Sequence, residues 1–250
     1  MGLDVEMIQL MILFLGIALF YSSAGFGGGS SYLAVLTLFS FAPSDVRMIA
    51  LLCNIVVVTG SVYIFAKNNM LPYKKLGPLL FFSVPFAYLG GRFMMEEKTY
   101  FLILASCLLI AGILMLTRLR LAEMEPKEFP VYVNSAMGGV IGFISGLVGI
   151  GGGIFLAPTL HLTNWEIPKR IAATTALFIL LNSIAGLLGQ MSHFNWEADW
   201  LGIAYLLAAV FVGGQIGSRL SIFTFSQNVV RYMASLLILI VAIRIFVKYL

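Results

Sequence analysis

Two hundred and fifty residues, 60% hydrophobic and 10% charged, make a chain that water cannot surround. A soluble domain carries about a quarter charged residues, so a mean hydropathy of +1.00 points to an integral membrane protein. Fifteen Lys and Arg against eleven Asp and Glu give +4, scattered between apolar spans rather than gathered in a stripe, so nucleic acid is not an expected partner.

The first residues, Met1 to Glu6, are acidic where a signal peptide would be basic, so no cleavage is expected. Met7–Phe41 follows, too apolar to leave the membrane and too long for one span. It is broken at Gly25-Phe26-Gly27-Gly28-Gly29. A bilayer core needs roughly 20 helical residues, and Met48–Ala66, Leu76–Met95 and Thr99–Thr117 fit that length. Arg118–Pro130 is charge-dense and reads as a solvated linker. Val131–Leu162 is again too long and breaks at Gly149-Ile150-Gly151-Gly152-Gly153. Ile171–Met191, Trp200–Ser218 and Val229–Val247 complete the spans. Three consecutive glycines cost a helix roughly 3 kcal/mol relative to alanine. Each broken region is therefore expected as two half-helices.

The two breaks lie 124 residues apart, Pro43 and Pro168 lie 125 apart, and Gly90-Gly91-Arg92 and Gly217-Ser218-Arg219 lie 127 apart. This is an internal duplication. The expected organisation is an all-α membrane protein with repeat 1 over 7–117, a cytoplasmic linker over 118–130 and repeat 2 over 131–248. If each broken region enters and leaves on one side, the repeats are inverted. One face then holds Lys67, Lys74, Lys75, Arg118, Arg120, Lys127, Lys169, Arg170, Arg219 and Arg231, which is ten. The other holds five, Arg47, Arg92, Lys98, Arg244 and Lys248. If each broken region crosses once, the tally is eight to seven. The excess of cytoplasmic cations favours inversion, with both termini outside the cytoplasmic membrane. Ser30–Phe41, 12 residues or about 18 Å as helix, is too short to span, which favours a hairpin.

Irregular backbone in a bilayer survives where it is buried in protein or lines an aqueous cavity. Broken helices in inverted repeats point to a transporter site at the repeat interface. Gly27, Gly28 and Gly29 bare their N–H groups just before a half-helix that starts near Ser30, and Gly151, Gly152 and Gly153 do the same in repeat 2. Two such helix N-termini aimed at one point supply about one unit of partial positive charge. Packing is the competing reading, but packing glycines recur every fourth residue rather than consecutively. Single glycines such as Gly16, Gly60, Gly186 and Gly189 fit packing.

Asn54 and Ser61 share one helix face, and Thr175, Asn182, Gly189 and Gln190 share another. Cavity lining and interhelical hydrogen bonding both account for these stripes, with lining favoured for Asn54 and Asn182. The expected substrate-binding set is Gly27, Gly28, Gly29, Ser30, Asn54, Gly151, Gly152, Gly153, Thr175 and Asn182. Arg92 and Arg219 are expected to reach headgroups, and His161 to sit at the membrane interface near Trp165. Every acidic residue falls in a loop or at a helix end. Cys53 and Cys107 lie in apolar runs, and no metal-ligand or hydrolase motif occurs, so neither metal, cofactor nor enzyme activity is expected.

Gly-Phe-Gly-Gly-Gly-Ser at Gly25–Ser30 and Gly-Leu-Val-Gly-Ile-Gly-Gly-Gly-Ile-Phe-Leu-Ala-Pro at Gly146–Pro158 resemble the signature of the TauE/SafE permeases. Ala172-Ala173-Thr174-Thr175-Ala176-Leu177, leading to Asn182-Ser183, and the paired Gly-x-Arg span ends extend the resemblance from about Leu13 to Val247. In repeat 1 no proline stands where repeat 2 has Pro158, and Ile49-Ala50-Leu51 replaces the alanine-threonine run. The resemblance implies export of sulfite, sulfoacetate or related sulfonates. Expected partners are thus a small anionic substrate and the lipid bilayer, and pairing as a homodimer is left open. The alternatives are a non-transporting subunit or assembly partner, and a carrier of a different small solute.

Overall fold

A computed structural model describes residues 5–23, 26–39, 41–116, 126–191, 199–220 and 227–249. Among them the regular structure is all helix. The order is α1 (Val5–Ser23), α2 (Gly29–Leu38), α3 (Pro43–Lys67), α4 (Tyr73–Arg92), α5 (Glu97–Leu116), α6 (Val131–Val148), α7 (Gly153–Leu162), α8 (Pro168–Gln190), α9 (Trp200–Leu220) and α10 (Gln227–Tyr249). Six of these, α1, α3, α5, α6, α8 and α9, are long and apolar enough to cross a membrane. Large apolar side chains such as Phe81, Phe211, Ile240 and Val247 are exposed on the outside, as a lipid solvent requires. Most of the linker and His193 fall outside the described residues.

Local chemistry explains the boundaries. Pro43 and Pro168 open α3 and α8 at the position where a missing N–H costs nothing. Both glycine regions break as expected, and α2 and α7 are 10 residues each, too short to span. Gly28 and Gly152 precede α2 and α7 at φ +84° and +81°, in the left-handed region that side-chain-bearing residues avoid. The expected third span of repeat 1 begins two residues earlier than Thr99, at Glu97, a carboxylate suited to a helix N-terminus.

The helices pack as two matching sets of five. α1 lies on α9 as α6 lies on α4; α2 lies on α3 as α7 lies on α8; α3 and α8 pack on each other, and so do α5 and α10. Every pair maps onto its counterpart, or onto itself, when one half is exchanged for the other. Register fixes the relative directions. Arg47 meets Gln190, Leu51 faces Gly186, and Asn54 and Ser183 both border Gly151, so α3 and α8 run antiparallel. Gly138, Gly142 and Gly146 of α6 fall in turn on the carbonyls of Leu79, Ser83 and Ala87, so α6 and α4 run parallel. Gly213 and Gly217 of α9 do the same on Leu15 and Leu19 of α1. The end of α10 returns to the start of α5, where Tyr249 stacks on Phe101 with ring centroids 4.7 Å apart.

These glycine rows revise the list of packing glycines. At Gly16 a side chain would meet open space and at Gly60 only the end of Gln215, whereas Gly186 sits backbone to backbone with Gly91 and Gly146 as expected. Gly189 does pack closely, on the Tyr88 carbonyl. The two closest approaches, at Gly146 and Gly138, belong to the every-fourth-residue row on α6, and a second such row on α9 likewise brings two backbones into touch. Gly142→Val is therefore expected to cost about 3 kcal/mol or more, because backbone cannot yield as a side chain can. Gly16→Ala should be near neutral; thermal unfolding of both variants in detergent checks the contrast.

Candidate functional site

α2 and α7 begin in the same cavity. Its walls include Gly27, Gly28, Gly29, Ser30 and Asn54 from the first half and Ile150, Gly153, Ile154 and Ile179 from the second. Asn54 stands near the middle of the 25-residue α3, so the cavity lies at mid-depth. Its volume is about 30 Å³, room for a water-sized guest. A larger solute enters only when the helices separate.

The backbone supplies the donors. Gly28 accepts from the amides of Ser31 and Tyr32, and Gly152 accepts from those of Phe155 and Leu156, which starts each half-helix. Among the described residues, the amides of Gly28, Gly29 and Ser30 donate to no acceptor, nor do those of Gly151, Gly152, Gly153 and Ile154. Buried N–H groups are seldom left so. Asn54 ties the halves together by donating Nδ2 to the Ile150 carbonyl at 3.0 Å, while its Oδ1 is buried without a partner. Tyr21, also in the wall, holds α2 through its hydroxyl against Ser31 Oγ at 2.7 Å.

The structure thus brings together Gly27, Gly28, Gly29, Ser30, Asn54 and Gly153 as lining residues. Gly151 and Gly152 stand directly behind them. A side chain at Gly151 would meet Asn54 Nδ2 and Ser183 Oγ, and one at Gly152 would meet the Phe178 ring. Thr175 lies against Gly153, its buried hydroxyl unpartnered. Asn182 is elsewhere: it donates to Ser83 Oγ at 3.1 Å and to the Phe178 carbonyl at 2.8 Å, in the α4–α8 contact. The 125-residue offset explains this, since the residue matching Asn54 is Ile179, one turn from Asn182. One half of the cavity therefore presents an amide where the other presents an aliphatic wall.

Two residues were undervalued by sequence reasoning. His161 lines the same cavity, because α7 carries it from the break toward the linker face. Its interval of eight residues from Gly153 was the available signal. Arg47 is 6% exposed rather than a loop cation. It donates to the carbonyls of Gly91 (2.9 Å), Phe93 (3.1 Å) and Gly146 (3.1 Å), and, with the Gln190 amide oxygen turned toward it, from Nε at 2.6 Å. Sequence alone cannot tell such a residue from one that reaches headgroups, since both sit a turn inside a helix. On the opposite face Lys75 pairs with Glu166 at 3.3 Å and donates to the Trp165 carbonyl, which moves Trp165 into the protein.

A bundle of apolar helices with two broken ones meeting at a mid-depth cavity is the build of a multi-pass membrane permease. The sequence profile of the family described as "Sulfite exporter TauE/SafE" matches residues 10–245, and the chain belongs to that family. It is 33% identical over 247 residues, 97% of its own length and 99% of the other, to the probable membrane transporter protein y4hK of Sinorhizobium fredii. It is 29% identical over 119 residues, 47% of its length and 42% of the other, to the probable membrane transporter protein YunE of Bacillus subtilis. A probable membrane transporter protein of Methanocaldococcus jannaschii is 26% identical over 194 residues, 73% of this chain and 71% of that one. No solved structure matches the chain.

Asn54→Ala removes the donor to a buried carbonyl and should cost about 1–3 kcal/mol of stability. Asn182→Ala, in the α4–α8 contact, should cost a similar amount but leave solute affinity unchanged. Thermal unfolding with and without sulfite, the solute that the family's description names, separates the two variants.

Proposed function

We propose that the protein exports small organosulfur anions, sulfite or sulfonates such as sulfoacetate, through two inverted repeats that expose the central cavity alternately. The carrying observation is the pair of half-helix N-termini with unpaired amides opening into one cavity. Their dipoles favour an anion and their N–H groups fit oxygens, without a buried lysine. Gly27, Gly28, Gly29, Ser30, Gly151, Gly152 and Gly153 supply the amides, and Asn54 a side-chain amide. Thr175 supports the Gly153 turn, and Asn182 acts through helix packing. With the cell interior negative, expelling one negative charge gains about 2.3 kcal/mol per 100 mV. The family description names sulfite export, and the three relatives are named as probable transporters.

In sulfite-loaded proteoliposomes, Gly27→Leu and Gly153→Leu, both in the cavity wall, at ordinary φ and against side chains that can yield, should each reduce efflux at least about tenfold while the protein stays folded and inserted. This follows from a side chain standing where the anion must approach the amides. Normal efflux from both variants would make the breaks packing devices.

Inversion is supported by the antiparallel run of the matching helices α3 and α8. Repeat 1 over 7–117 and repeat 2 over 131–248 then share a cytoplasmic linker, 118–130, in the cell membrane. The buried Arg47 no longer counts as a loop cation, so the cation bias becomes ten to four, which strengthens the assignment of both termini to the outside. With Cys53 and Cys107 replaced, a cysteine at position 2 should label from outside intact cells and one at position 124 should not. The reverse pattern would overturn the orientation.

A further inference from the structure

Arg47 lies beside a second cavity, of about 210 Å³, on the face where α3 and α5 begin and α4 and α8 end. Ser44, Arg47, Tyr100 and Gln190 are among its walls. It shares none of its lining residues with the central cavity. Between the two stand Gly149, packed on the Arg47 stem, and the Val148 carbonyl, which accepts from the Tyr100 hydroxyl at 3.1 Å.

The guanidinium here is satisfied but not neutralised. Its acceptors are three carbonyls and one amide oxygen, and among the described residues no carboxylate lies within 4 Å. Those acceptors engage four of its five N–H groups, leaving one on Nη1. A buried cation with only neutral partners is costly, and an anion beside it recovers that cost. The second half of the fold does not repeat the residue. The matching position in the second half, 125 residues on, is Ala172. The cation is therefore a one-sided feature in a two-fold-related architecture.

We propose that this cavity is a second anion site, in which Arg47 takes a small singly charged oxyanion on the side where both termini lie. Ser44 and Tyr100 are the neighbouring hydroxyls. Asp45 and Glu97 are also in its walls, Asp45 half-buried and Glu97 exposed, with Glu97 Oε1 accepting from the Tyr249 hydroxyl at 3.0 Å. Their repulsion disfavours doubly charged anions and keeps the site weak enough to release what it takes. Occupancy also acts on the central site. Drawing Nη2 away from the Gly146 carbonyl loosens the end of α6, which leads directly into the second glycine break. In an exporter this is the last position before release, so the inference extends the transport reading but is tested by binding alone.

The test uses the full chain in lipid nanodiscs with Cys53 and Cys107 replaced by serine and Ser44→Cys as the only thiol. Maleimide labelling is timed in methanesulfonate and, at equal ionic strength, in sulfate, whose double charge the Asp45 and Glu97 carboxylates disfavour. At ten times the dissociation constant, methanesulfonate should slow labelling about tenfold. The slowing should persist when Gly153→Leu blocks the central site and vanish in Arg47→Gln. Arg47→Lys, which keeps the charge and loses the fork, should retain a weakened effect and serves if Arg47→Gln does not insert. Protection that disappears with Gly153→Leu, or is unchanged in either Arg47 variant, overturns the proposal. Efflux through Gly153→Leu judges the central site separately, so the two readings fail by different measurements.

Discussion

A peptide N–H without an acceptor costs several kcal/mol in hydrocarbon, and the molecule is organised around the few places where it leaves such groups open. Long helices satisfy their own backbone, so they can face lipid. The glycine breaks cannot, and the fold buries both of them at the contact between its halves. α3 and α8 form the wall against which both breaks rest, which is why these two are among the most buried helices. The remaining helices shield the centre from lipid, through glycine rows that let α4 meet α6 and α1 meet α9 backbone to backbone.

Matching halves make the centre a natural site, and the departures from matching give it character. Asn54 faces Ile179 across the cavity, so one side can hydrogen-bond and the other can only exclude water. The buried Arg47 has Ala172 as its counterpart, while the opposite face carries the Lys75–Glu166 pair beside Trp165. A strictly symmetric pair of halves would present the same chemistry to both sides of a membrane. These substitutions make the two ends of the bundle chemically different.

Sequence by itself determined the solvent, the helical class and the two breaks, because each rests on local rules. Spans follow from length and apolarity, and three glycines in a row disrupt a helix whatever surrounds them. Consecutive glycines also marked the half-helix starts, since φ near +84° at Gly28 is a property of one residue. The tertiary structure alone decided which side chains share the cavity. Asn54 and Asn182 look equivalent on helical wheels, yet a drift of a few residues in the repeat sends one to the cavity and the other to a helix contact. Arg47 and Gly142 show the same limit: a cation one turn into a helix and a glycine within one look alike until a neighbouring backbone arrives. Burial and partnership depend on residues a hundred positions away, and no local pattern records them.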